Sequence, residues 1–280
     1  MVPSVAESNV LEAEQMQLQK FRNYYPNLPV KLAKSKDYFS KMRQIKLNMV
    51  RENYTGGTIL DLCCGEGMFL KEVSVFADRL IGVDFSGEML ALARTGIEME
   101  SRHRVQCVQA NARHMPLPSG SVHLAYCYSS LYAIPRVKDV LAECSRVLVP
   151  GGIAILDFGL QASLNTHVVK AYEEIADGYH RSRADIQAML KHANLKSLSS
   201  RSFQMLPLWG HKPRWLRPLL HPIWKKVMSL ELRGKMLDEW ISSAPLLNAF
   251  AFRRIEVCRK MDVVLPLQKS VYQSAGQENE

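Results

Sequence analysis

From Thr58 onward the chain alternates short apolar runs with stretches whose apolar residues recur at helical spacing. Thr58–Leu62 and Leu80–Val83 are bounded apolar runs of strand length and predict buried strands, as do Val105–Val108, Val122–Cys127 and Ile153–Phe158. Between the last two, Val137, Val140, Leu141, Cys144, Val147 and Leu148 make one apolar stripe at steps of three and four. That stripe predicts a helix, ended by Pro150-Gly151-Gly152. Leu70, Val73 and Ala77 keep the helical period after the first strand. Ser86 with Glu88 marks a helix start, because a serine oxygen accepts from first-turn amides and a carboxylate there meets the positive helix end. Further on, Asp185–His192 reads as a helix, and Leu198–Leu206 and Arg254–Cys258 as the last two strands. Far more chain separates that pair than a hairpin needs, so an insertion stands between them.

Such alternation builds an α/β, doubly wound, Rossmann-like sheet with helices on both faces and ligands at the C-terminal ends of the strands. The expected organisation is an N-terminal helical extension or cap (1–55), a core (56–206 and 250–262), an insertion (207–249) and a tail (263–280).

With 280 residues, 47% hydrophobic and 22% charged, the chain suits one large domain or a domain with an appendage. The uncharged stretch from His114 to Pro135 contains Pro116, Pro118 and Pro135, which a single membrane-spanning helix would not tolerate. No basic residue precedes Lys20 while Glu7, Glu12 and Glu14 do, unlike a secretory signal, so a soluble cytoplasmic chain is expected. Cysteines at 63, 64, 107, 127, 144 and 258 form no C-x-x-C pair and read as reduced thiols. No cluster has metal-ligand spacing.

Charge changes the picture. The net charge is +9, and residues 201–260 alone, with twelve basic and four acidic side chains, hold +8 of it together with all four tryptophans. In 207–249, Trp209, Trp215 and Trp224 are interleaved with Lys212, Arg214, Arg217, Lys225 and Lys226. This pattern fits an anionic membrane surface giving access to a lipid-linked acceptor, or a grip on a sugar or aromatic small molecule. It also fits tryptophans that simply anchor the insertion beneath a solvated basic face. Nucleic acid is disfavoured, because Cys127-Tyr128-Ser129-Ser130 follows the fourth strand instead of an Asn/Asp-Pro-Pro-aromatic run.

The first strand ends in Leu60-Asp61-Leu62-Cys63-Cys64-Gly65-Glu66-Gly67, and Asp84 closes the second. A glycine bend lets the backbone approach a ligand, and an acceptor-only carboxylate at Asp84 suits the two hydroxyls of a ribose. The spacing is not the G-x-G-x-x-G of a dinucleotide fold, since Phe69 and Leu70 stand where its third glycine would fall. Glu66 would also repel a phosphate. There is no P-loop and no Tyr-x-x-x-Lys dyad, so neither an NTPase nor a short-chain oxidoreductase is supported.

Four blocks in order resemble the class I S-adenosylmethionine-dependent methyltransferases over roughly Thr58–Phe158. They are Leu60–Gly67, Gly82-Val83-Asp84-Phe85-Ser86, Ala110-Asn111-Ala112 with Met115-Pro116-Leu117-Pro118, and Arg146-Val147-Leu148-Val149-Pro150-Gly151-Gly152. The resemblance implies a Rossmann-like methyltransferase sheet with S-adenosyl-L-methionine as cofactor. By it, Asp61, Cys63, Gly65 and Gly67 hold the methionine part and Asp84 the ribose. Phe85 and Met89 flank the adenine, Asn111 and Ala112 face its edge, and Tyr128 and Tyr132 line the acceptor pocket. Three positions depart from the family pattern: Cys63 replaces a glycine, Asn111 an aspartate and His123 an aspartate. The expected activity is methyl transfer to an oxygen or nitrogen of a small-molecule or glycan acceptor. A peripheral-membrane enzyme acting on a lipid-linked glycan or quinone, and a non-catalytic S-adenosylmethionine-binding module or regulatory partner, are the alternatives. A general base is needed only where the acceptor loses a proton; His167 and His180, in the region after the fifth strand, are the candidates to project over the site.

Overall fold

The computed structural model describes residues 38–172 and 178–261, together with positions 15, 16 and 19. It opens with helix α1 (Tyr38–Asn53), followed by β1 (Thr58–Leu62), α2 (Leu70–Val73), β2 (Arg79–Asp84), α3 (Gly87–Gly96), β3 (Val105–Gln109) and β4 (Val122–Cys127). Then come α4 (Val137–Val147), β5 (Leu148–Gly159), α5 (Leu164–Lys170), α6 (Arg183–His192) and β6 (Leu195–Phe203). A run of short elements leads to the last strand: α7 (Arg217–Leu220), α8 (Ile223–Met228), the hairpin β7 (Glu231–Leu232) and β8 (Lys235–Met236), and α9 (Leu237–Ser243) before β9 (Arg253–Lys260).

The seven-stranded sheet has the order β3-β2-β1-β4-β5-β9-β6. Its strands are parallel except β9, which runs antiparallel to both β5 and β6. From β1 the chain winds out to β3 and then returns to β4 on the other side, so the order reverses between β1 and β4. In doubly wound sheets such a reversal is where ligands bind, outside the C-terminal ends of the strands.

Period-two alternation splits the core between the two faces. Leu60, Leu62, Ala154, Leu156 and Phe158 pack with Val137, Val140 and Leu141 of α4 and Ile186 and Leu190 of α6. Ile59, Leu124, Tyr126 and Ile155 pack on the opposite face with Tyr38 and Met42 of α1, Leu70 of α2 and Leu90 of α3. Burial of each such side chain stabilises the fold by roughly 1.5–3 kcal/mol. Met228 and Met236, between β6 and β9, join the second cluster, so that segment is bonded into the body through its own apolar side chains.

Ser86 caps α3 as expected, its Oγ accepting from the Met89 N–H at 3.3 Å. Several expectations need correction. The stretch after β1 is helical only over Leu70–Val73, and Ala77 is buried in the turn that follows. Pro150-Gly151-Gly152 does not separate α4 from β5; the strand already starts at Leu148, and the register against β4 shifts between Val122 and Leu124. The helix stops at Val147, before the proline. Strand β6 lies at Leu195–Phe203 instead of Leu198–Leu206, a serine-rich edge strand with four exposed positions and little apolar pattern to locate it. Helix α6 starts two residues earlier than Asp185, where Ser182 and Asp185 form a reciprocal cap. Apart from positions 15, 16 and 19, the extension before Tyr38 lies outside the described residues, as does the tail 263–280.

Candidate functional site

The turn after β1 is tied to the end of β2. The Cys64 N–H donates to the Val83 carbonyl at 3.0 Å and the Gly67 N–H to the Cys64 carbonyl at 3.0 Å. Left-handed backbone is required at Cys63 (φ 62°), Gly65 (φ 55°) and Gly67 (φ 78°). Cysteine therefore sits in a conformation that favours glycine, at a cost of roughly 1–2 kcal/mol. A Cβ on Gly67 would come within 2.9 Å of the Ala93 Cβ, so this glycine lets α3 pack against the bend. A Cβ on Gly65 would meet nothing within 4 Å, so its α-carbon faces open space.

Asp84 is buried and anchors the bend. Its Oδ2 accepts from the Gly65 N–H at 2.8 Å and its Oδ1 from the Ser86 N–H at 3.0 Å. Burial pushes its carboxyl up, and the Ser86, Gly65 and Phe85 amides offset part of that. Each oxygen has a second lone pair for a ligand hydroxyl. Asp61, 4% exposed, differs: among the described residues its Oδ2 is buried with no hydrogen-bond partner. Burial pushes its carboxyl up to about 8, the neighbouring Tyr126 hydroxyl opposing and Asp84 adding to the rise. Among the described residues the buried Tyr126 hydroxyl is the one donor beside this carboxyl, which is too little to keep it ionised, and a cationic ligand N–H would add the bond that restores the ionised form.

Phe85 and Met89 are half-buried beside Asp84, at the corner from β2 into α3. The Ala110 N–H donates to the Asp84 carbonyl at 2.9 Å, which draws the segment after β3 alongside. There Ala112 packs on the core, and exposed Asn111 folds back, its Oδ1 accepting from the Arg113 N–H at 3.0 Å. Asp61, Cys63, Gly65, Gly67, Asp84, Phe85 and Met89 thus lie together at the C-terminal ends of β1 and β2, and the Ala110 bond brings Asn111 and Ala112 up beside them. His123 lies at the other end of the sheet. Its Nδ1 accepts from the Thr58 N–H at 3.1 Å and its ring covers Gly57, where a Cβ would overlap it at 2.5 Å. It fastens the start of β4 to that of β1.

The two tyrosines after β4 are both engaged. Tyr128 is buried, its hydroxyl donating to the Lys46 carbonyl at 2.9 Å and its ring 5.1 Å from that of Phe69 and 5.4 Å from that of Tyr126. Tyr132 is half-buried, its hydroxyl accepting from Arg253 Nη2 at 3.2 Å. His180 packs against Tyr132 and Phe252, with Nδ1 2.7 Å from Thr166 Oγ1. Burial lowers it to about 4, so its ring is neutral at physiological pH. The His167 ring instead lies 5.5 Å from that of Trp215.

Three further residues here escaped the sequence reading: Lys46, Asp157 and Arg253. Asp157 is fully buried at the end of β5, and its Oδ2 binds Lys46 Nζ at 2.7 Å and Arg253 Nη1 at 2.6 Å. It also accepts from the Ser129 N–H at 3.2 Å. Burial alone would raise the Asp157 carboxyl, but Arg253 and Lys46 hold it below the usual carboxylate range. Asp157 closes an apolar run just as Asp61 and Asp84 do, and that is the one signal that would have found it.

The tryptophans divide. Trp209 Nε1 donates to Asn165 Oδ1 at 2.9 Å and Trp224 Nε1 to the Pro218 carbonyl at 2.9 Å, both half-buried anchors. Trp215 and Trp240 remain exposed at 62% and 42%.

A parallel sheet of this order with one antiparallel strand is the Rossmann-like fold of the methyltransferases it superposes on. Residues 60–156 match the family model of the methyltransferase domain. A demethylmenaquinone methyltransferase from Lactococcus lactis is 37% identical over 101 residues, 35% of this chain and 40% of the relative. The matches span 40–51% of the length of the curated relatives with that name. Among solved structures, geranyl diphosphate C-methyltransferase from Streptomyces coelicolor superposes with a TM-score of 0.56 at 16% identity, covering 80% of each chain. A SAM-dependent methyltransferase from Methanosarcina mazei superposes at 0.52 and 16% identity, over 76% of this chain and 97% of the other.

Proposed function

We propose that this chain binds S-adenosylmethionine at the β1–β2 corner and transfers its methyl group to a small-molecule acceptor. The observation that carries the reading is the unpartnered, buried Asp61 Oδ2 beside an open Gly65 and a bonded Asp84. Asp61 suits the ammonium of the methionine part, Asp84 the ribose hydroxyls, and Phe85 with Met89 the faces of the adenine. The Cys63–Gly67 bend shapes the floor, and Asn111 and Ala112 meet the adenine edge. The cofactor supplies, when bound, a methyl group on a positively charged sulfur. The protein's share is to hold the acceptor in line and exclude water.

The acceptor side is the end of β4 and β5, with Tyr128 and Tyr132 in its wall. The names of the curated relatives favour a quinone-type acceptor over a glycan. A melting-temperature assay tests the cofactor assignment: S-adenosylmethionine or its demethylated product should raise the temperature, and NAD and ATP should not. No shift at saturating cofactor would remove the reading.

A second reading, peripheral contact with an anionic membrane, is favoured by one patch. Leu230, Leu232 and Trp240 are exposed, Trp240 Nε1 donates to the Leu232 carbonyl at 3.0 Å, and Lys235 lies 5.3 Å over the Trp240 ring. Among the described residues no helix is long and apolar enough to cross a membrane. Cosedimentation with anionic vesicles that weakens with salt is expected for such a surface. Equal recovery with neutral and anionic vesicles would exclude it.

A further inference from the structure

Lys46, Asp157 and Arg253 form a buried ionic cluster that the cofactor assignment does not use. Two cations share one carboxylate, so the cluster carries a surplus positive charge in a place where charge is costly. Lys46 is 5% exposed, and the Lys46 and Arg253 side chains are 6% and 14% exposed. The cluster is assembled by distant parts of the chain, with Lys46 and Arg253 lying 111 and 96 positions from Asp157.

Its place in the fold is specific. Asp61, Tyr126, Tyr128, Lys46, Asp157, Arg253 and Tyr132 form one row across the ends of β1, β4, β5 and β9, through the ring contact of Tyr126 with Tyr128 at 5.4 Å and Lys46 Nζ at 5.0 Å from the Tyr128 ring. The cofactor corner stands at one end of the row and the cluster at the other. Ser129, which accepts from Lys46 Nζ at 3.2 Å, and Gln204, which accepts from Arg253 Nε at 3.3 Å, both have left-handed backbone (φ 64° each). Two strained residues gripping the same pair of cations are a feature of sites where orientation matters more than stability. Among the described residues an ammonium with two of three donors used, and a guanidinium with three of five used, still have N–H groups to offer.

We propose that this cluster is the acceptor's oxyanion subsite: Lys46 and Arg253 bind a negatively charged oxygen of the acceptor, while Asp157 positions the two cations. The inference rests on the methyltransferase reading and narrows its substrate class to acceptors with an ionised oxygen. For a hydroxylic acceptor the O–H bond breaks, the electron pair stays on oxygen and the proton passes to water. The surplus charge favours that ionised form. Burial and Arg253 lower Lys46 to about 8, against the pull of Asp157 and Cys127, and a second anion would push it back up.

The test uses the full chain with and without S-adenosylhomocysteine, whose own binding is followed by calorimetry. Three probes are titrated: 4-nitrophenol, which absorbs in the visible only when ionised, benzoate and inorganic pyrophosphate. Binding of at least one is expected, weakened tenfold or more in Lys46→Met and in Arg253→Gln, and kept within threefold in Lys46→Arg. Bound 4-nitrophenol should show its ionised band at a pH where the free probe is mostly colourless. The probe that binds tells a phenolate from a carboxylate or a diphosphate. Failure of all three to bind, or binding unaffected by either charge-removing variant, overturns the subsite. Loss of S-adenosylhomocysteine binding in the parent overturns the cofactor reading instead, and probe binding without cofactor would still support the cluster. Thermal melts of each variant confirm that it is folded.

Discussion

At the ends of β1 and β2, Asp61 and Asp84 are buried carboxylates with no ion pair among the described residues, and burial pushes both upward. At the ends of β5 and β9, Asp157 is buried still more deeply, yet two cations hold it low. The same residue type at the same level of the sheet behaves in opposite ways because of what the rest of the chain brings to it. One corner lacks positive charge and the other has one to spare. On the proposed assignments a cationic ligand group occupies the first and an anionic one the second, and the two are joined by the aromatic row Tyr126–Tyr128.

The sharpest way to break this contrast is Asp157→Ala. Two like charges would be left buried without a counter-ion, and stability should fall by about 3–5 kcal/mol, read from the urea midpoint. Cofactor affinity of the folded fraction should change by less than about threefold, since Asp157 bonds nothing at the β1–β2 corner. A fall in cofactor affinity as large as the fall in stability would mean that the two corners are one site.

Asp84→Ala is the converse. It releases the Gly65 and Ser86 amides and removes the acceptor proposed for the ribose hydroxyls, so affinity for S-adenosylhomocysteine should drop by about 2–3 kcal/mol, or 30- to 150-fold. Calorimetry reads this directly. A variant that binds like the parent would remove Asp84 from the site.

How much of each corner the sequence revealed follows from how each is built. Asp61, the Cys63–Gly67 bend, Asp84 and the Ser86 cap lie in one strand–turn–helix–strand–helix unit, so spacing alone brings them together. β1 and β4 were legible residue by residue, being buried apolar runs with clear ends. Lys46 lies on a helix whose charged residues otherwise read as a solvated face, and Arg253 is one of several arginines around the last strand; nothing local marks either as buried. Strand β6 was misplaced by three residues because an edge strand of alternating serines carries almost no apolar pattern. The Pro-Gly-Gly break was misread because a bulge and a turn share the same residue signal.

A pH titration of cofactor binding sharpens the comparison further. Asp61 in the ligand-free protein holds a proton below about 8, whereas an ammonium requires the carboxylate. Binding must therefore release a proton at pH 7, and affinity should rise by up to about tenfold per pH unit until about pH 8, then level off. Stability of the ligand-free chain runs the other way. Between the unfolded value near 3.9 and the folded value the native state holds a proton that the unfolded chain has lost, so stability falls as pH rises through that window. Calorimetry in two buffers of different ionisation enthalpy measures the proton release, and Asp61→Asn should abolish it. Equal heats in both buffers for the parent would show that Asp61 is already ionised.

The smallest effect expected is at Cys63. Its backbone is left-handed at φ 62°, where a Cβ is strained, and glycine would relieve about 1 kcal/mol while adding back entropy to the unfolded chain. Cys63→Gly should thus raise stability by about 0.5 kcal/mol, a shift of one or two degrees in melting temperature for a chain of this size. The Cys63 thiol also lies against that of Cys127, a contact that raises the latter's thiol and that glycine would forfeit. If the melting temperature falls instead, that contact outweighs the strain, and the bend at the cofactor corner is held by a side chain as well as by its glycines. Cofactor affinity should stay within about twofold either way, because the amide hydrogen bonds that shape the bend belong to Cys64, Gly65 and Gly67 and do not involve Cys63.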